Sequence, residues 1–177
     1  MKRQPAHVVV VAGLAAACLV GPAAGANASA DLSTVPAASG AQAAEGEFIA
    51  AVDFSSLQAR DVRGDKCEFT VNGTLSFTGT VDGDAVGTTT AVVFAPCAEA
   101  LASPPGTYFD VFRFEGDFTG DVLGEPASGS LSYAGLTRVG GAIDATVILD
   151  GDDARAVLRA DSQVAVGGTY TGVAKRS

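Results

Sequence analysis

From Glu47 onward, apolar residues fall at every second position, the period of strands that bury one face and leave the other in water. Phe48, Ala50, Val52 and Phe54 form the first such face. Cys67, Phe69 and Val71 form the next, with Lys66, Glu68 and Thr70 opposite, and Leu75, Phe77, Gly79 and Val81 form a third. Residues 88–94, 108–118, 131–133, 143–149 and 154–160, with a last stretch through Tyr170 and Val173, bring the total to nine candidate strands. No segment beyond residue 30 carries a helical period. The spacing predicts an all-β domain: an antiparallel meander of eight or nine strands closing into a small β-barrel, with a β-sandwich as the alternative.

Turn chemistry refines this. Asn72-Gly73, Asp82-Gly83 and Asp150-Gly151 are dipeptides that tolerate positive φ and predict tight hairpins. At the first of these, a three-residue loop ending at Thr74 pairs Val71 with Leu75 and Phe69 with Phe77, keeping apolar faces together. Gly79, Gly116, Gly129, Gly140 and Gly141 lie in or beside strands, where glycine marks the bends a small barrel needs. The longest connection, 96–106, carries Cys97 and Pro104-Pro105.

The first 30 residues read as a secretory signal peptide. Lys2 and Arg3 precede an apolar run over 8–20, Gly21-Pro22 breaks it, and Ala28-Ser29-Ala30 supplies a cleavage pattern. The run is too short to span a bilayer, which takes about 20 helical residues, and no other stretch serves as a transmembrane segment. An alternative is lipid anchoring through Cys18, although Ala15 stands where such a motif wants a larger residue. Residues 31–46, rich in Ala, Ser and Gly, read as a flexible tether, and 47–177 as one barrel domain.

Removal of the leader leaves nine basic and twenty acidic side chains, a net charge of −11. Such a surface repels nucleic acid and anionic headgroups and keeps an exported protein in solution. Cys67 and Cys97 are then the only thiols, and an oxidising compartment predicts one disulfide between them. Chain entropy puts the closure of that loop at roughly 3–4 kcal/mol.

The same trimming removes His7, the only histidine, and with it any Ser-His-Asp relay, Cys-His relay or His-ligated zinc. Asp82-Gly83-Asp84 and Asp150-Gly151-Asp152-Asp153 match no calcium loop and read as turns. Arg113, Glu115 and Asp117 alternate along a solvated face. Neither a metal nor a cofactor is expected. The acid that stands out is Asp110, which shares the face of Tyr108, Phe112 and Phe114 and would sit near a barrel mouth among aromatics. Tyr133 and Arg138 complete the candidate ligand site, Arg138 as the candidate partner of Asp110.

Phe118-Thr119-Gly120-Asp121 at a strand end, Tyr133-Ala134-Gly135-Leu136 in a hairpin and Val139-Gly140-Gly141 before the next strand form a recognisable series. Through these residues the stretch from Phe114 to Gly172 resembles a family of small bacterial proteins of unknown function. Their barrel is related to the allene oxide cyclase fold and is lipocalin-like. The resemblance implies a closed barrel with a central cavity and carries over no catalytic residue.

Three functions fit the sequence. The first is an exported, non-enzymatic barrel that binds a small apolar or amphipathic ligand. The second is a structural or adhesive protein of the cell envelope. The third is a cyclase-type enzyme using a cavity carboxylate such as Asp110. An open sheet would also leave an edge strand for pairing between copies.

Overall fold

A computed structural model describes residues 40–177; the leader, Cys18 and most of the expected tether lie outside them. Eight strands follow in order: β1 (Gln42–Val62), β2 (Lys66–Gly79), β3 (Val81–Val93), β4 (Asp110–Val122), β5 (Glu125–Thr137), β6 (Ala142–Asp150), β7 (Ala154–Gln163) and β8 (Gly167–Arg176). A six-residue helix, α1 (Cys97–Ala102), sits between β3 and β4, too short to show a helical period in the sequence. Each strand pairs antiparallel with its chain neighbours, and β1 pairs with β8 to close the barrel. Closure leaves no open sheet. Among the described residues no helix is long and apolar enough to cross a membrane.

Period-two patterning is clear in β4 and in β6 and β7. In β4, Asp110, Phe114, Phe118 and Val122 are buried while Val111, Arg113, Glu115 and Asp117 are exposed. Between Phe114, Phe118 and Val122 come Gly116 and Gly120, so bulky and minimal side chains alternate inward, as a narrow barrel requires.

Three expectations need correction. Asn72-Gly73 is no hairpin: β2 runs straight through it, pairing Val71 with Thr89 and Phe69 with Ala91. The two strands expected on either side are one, which makes eight rather than nine. Gly73 lies beside Gly87, and Gly87 beside Gly116, in one row across β2, β3 and β4. A Cβ on Gly87 would come within 2.1 Å of the Glu115 carbonyl oxygen, so close backbone approach demands glycine here. Asp82-Gly83 likewise lies inside β3. The actual β2–β3 turn is at Gly79-Thr80, where the Thr80 N–H donates to the Glu45 carbonyl and the Thr80 hydroxyl accepts from the Glu45 N–H. Asp150-Gly151 does turn the chain, between β6 and β7, with the Gly151 N–H donating to the Ala154 carbonyl.

The second correction concerns the tether, whose last residues, 42–46, belong to β1. Their inward positions are Ala44 and Gly46, too small to register as a hydrophobic period, yet Ala44 is fully buried. The third concerns Phe54. A bulge between Asp53 and Gln58 breaks the β1–β2 register, and Phe54 beside it lies largely exposed at the barrel's open rim instead of in the packed core. Asp53 holds the bulge by accepting from the Ser55 N–H, while the Ser56 hydroxyl accepts from the Asn72 N–H.

The two ends of the barrel are filled differently. At the end holding the β2–β3 and β4–β5 turns, Val81, Phe118, Val122, Leu131, Leu149 and Tyr170 pack solidly. Across the other end runs the 94–109 connection with α1. Cys67, opening β2, is disulfide-bonded to Cys97, opening α1, with the Cα atoms 4.7 Å apart. Val93, Ala95 and Ala100 pack around the bridge, with Phe69 and Tyr108 against them.

Candidate functional site

Beneath that connection the barrel holds a cavity of about 330 Å³. Its floor is Phe48, Leu75, Phe114 and Tyr133, the first layer above the solid core. Thr89, Ala91, Val71 and Phe69 form one wall, and Val164, Ser162 and Gln163 another. Leu101, Pro104, Pro105 and Tyr108 cover it from the connection. That cover is fixed at two points: the disulfide to β2, and the Gly140 N–H donating to the Gly106 carbonyl, which ties it to the β5–β6 turn.

Aromatic rings line the deep side. Phe112 meets Tyr133 edge-on with centroids 5.0 Å apart, and Tyr133 meets Phe48 edge-on at 5.5 Å. The Tyr133 hydroxyl shares a 2.7 Å hydrogen bond with the Ser162 hydroxyl. Burial nonetheless pushes that phenol up to about 12, the Ser162 bond pulling the other way, so it stays neutral.

Asp110 opens β4 between Val93 of β3 and Thr137 of β5, its direct cross-strand neighbours. It is 9% exposed, and Thr137 beside it 1%. Burial raises its carboxyl from the ordinary 3.8 to about 6; a hydrogen bond with the Thr137 side chain works in the opposite sense and is outweighed. Among the described cavity-lining side chains there is no lysine, arginine, histidine or glutamate, and Asp110 is the only acid.

Of the five residues expected at the site, Tyr108, Asp110, Phe112 and Tyr133 all line the cavity. Arg138 does not. It lies on the outer face, where its Nε donates to Asp144 at 2.9 Å. The cause is strand phase: Leu131, Tyr133 and Thr137 point inward, so the residue after Thr137 points out. The side chain near Asp110 is thus Thr137, not Arg138. Thr137 and Ser162 escaped the sequence reading, although each lies in phase with the buried face of its strand, Thr137 with Leu131 and Tyr133, Ser162 with Leu158 and Ala160. Glu115 and Asp117 sit on the exposed face of β4, where Glu115 pairs with Arg113 at 2.7 Å.

The arrangement provides an apolar, aromatic-floored chamber with one carboxyl that ionises close to neutral pH. Comparison with family models, with curated proteins and with solved structures finds no match to this chain.

Proposed function

We propose that this chain is an exported, non-enzymatic barrel that holds a small apolar or amphipathic molecule beneath the disulfide-pinned connection. The observation that carries the reading is the cavity itself. Its volume of about 330 Å³ falls in the range of small-molecule sites, and its lining is mainly apolar and aromatic with a few polar groups near the cover. A purely structural or adhesive envelope protein has no need of such a chamber. The leader-like first 30 residues and the disulfide fit an oxidising destination. The resemblance of Phe114 to Gly172 to lipocalin-like barrels points the same way.

One observation favours a second reading, the cyclase-type enzyme. A cavity carboxyl raised to about 6 is tuned for proton transfer near neutral pH. The two readings differ in turnover. Native mass spectrometry of protein purified from the medium tests the first: one small molecule retained unchanged per chain supports it. A chain that never carries or takes up a small molecule refutes it, and release of a chemically altered molecule favours the enzyme.

A further inference from the structure

Resting on the ligand-binding reading, we propose that the cavity selects a cationic amphiphile: an apolar body seated on the aromatic floor and an ammonium or amidinium head paired with the Asp110 carboxylate.

The first support is an unbalanced charge. A buried carboxylate is expensive unless paired, and proteins normally supply a cation or several donors. Here the polar side chain beside it is that of Thr137, and the nearby cations among the described residues are committed elsewhere. Arg138 pairs with Asp144 and Arg113 with Glu115, both on the outer face, and the Lys66 ammonium stands 4.6 Å over the Phe94 ring. A ligand cation would supply what the chain withholds.

The surroundings suit such a head. Phe112, Tyr133 and Tyr108 line the same chamber, and aromatic faces attract a desolvated ammonium. Outside, the net charge of −11 left once the leader is removed draws cations toward the protein and repels anions. A fatty-acid carboxylate would have to lie near Asp110 with no basic residue lining the cavity to receive it.

Three probes of equal chain length separate the alternatives: octylamine, 1-octanol and octanoate, titrated by calorimetry into the full secreted protein at pH 7.5. Octylamine is expected to bind at least about tenfold more tightly than octanol, the scale of one partly buried charge pair, with octanoate weakest. Asp110→Asn should bring octylamine down to the level of octanol and leave octanol unchanged. Below about pH 6 octylamine affinity should fall toward the octanol level as Asp110 takes up its proton, about tenfold in all, while octanol stays flat. Beside Asp110 stand Val93 of β3 and Thr137 of β5, and the other titratable groups lining the chamber are the phenols of Tyr108 and Tyr133, the latter pushed up to about 12 by burial.

Equal affinity for octylamine and octanol, or a preference for octanoate, would overturn the cation selectivity and leave the binding reading standing. Failure of all three probes to bind would overturn both. A measurement on the unaltered chain guards against a misfolded variant. Saturating octylamine should lower the titration midpoint of the Asp110 carboxyl carbon in NMR by at least about one unit, and no movement would overturn the pairing.

Discussion

The hydroxyl of Tyr170 stands between the backbone polar groups of Val81, accepting from its N–H and directed at its carbonyl, each at 3.0 Å. The same hydroxyl lies 3.0 Å from the Thr78 carbonyl, so one side chain of β8 stitches the β2–β3 turn across the barrel interior. Gly46 makes room for it, since a Cβ there would come within 2.4 Å of the phenol oxygen. Tyr170→Phe takes the acceptor from a buried N–H, a loss of about 1–3 kcal/mol. Chemical denaturation should show that loss, with probe binding at the far end unchanged.

Asp110 makes stability depend on pH in an unusual direction. Its folded carboxyl titrates at about 6 against an ordinary 3.8, so folding favours the protonated form. The stabilising contribution is complete below pH 4, declines between about 4 and 6, and stays lost above that, by about 2–3 kcal/mol. Asp110→Asn should therefore be more stable than the parent at pH 7.5 and lose that advantage below pH 4. Urea unfolding at a series of pH values measures both arms, and a variant less stable at every pH would contradict the burial argument.

Reduction of Cys67–Cys97 should act on both stability and binding. The bridge spans a sequence separation of 30 and anchors α1 to β2. Its loss should cost roughly 3–4 kcal/mol by chain entropy. The connection then loses its covalent anchor and keeps the Gly106–Gly140 hydrogen bond, so bound probe should dissociate faster in Cys67→Ser/Cys97→Ser than in the parent. Stopped-flow release at a temperature where both forms are folded gives the comparison.

The barrel was legible because its interior is written in period two: Phe114 and Phe118, Val147 and Leu149, Ala156 and Leu158 all point where their spacing says. Gly73 was misread because a single sequence displays the turn preference of Asn-Gly but not the neighbours Gly87 and Gly116, which lie beside it only after folding. Phe54 went wrong for a local reason, since an irregularity between Asp53 and Gln58 resets the phase that the preceding residues establish. Asp110 could be singled out from its aromatic company. Thr137 lies in phase with Leu131 and Tyr133, which marks it as inward, but only cross-strand register puts it beside the acid. Arg138 carries the charge that a partner of Asp110 needs, and charge alone says nothing about which way a side chain points.

Ala91 lies between Phe69 of β2 and Phe112 of β4 on the cavity wall, the place where an added ring would occupy the chamber and leave the solid end untouched. Fluorescence titration with N-phenyl-1-naphthylamine, on the parent chain and on Ala91→Trp, asks directly whether that chamber receives small molecules. Saturable enhancement at one probe per chain, abolished by Ala91→Trp with an unchanged far-UV spectrum, is the expected result. Binding that survives the filled wall, or no saturable signal in the parent, would mean that the space under the disulfide-pinned connection is not a ligand site.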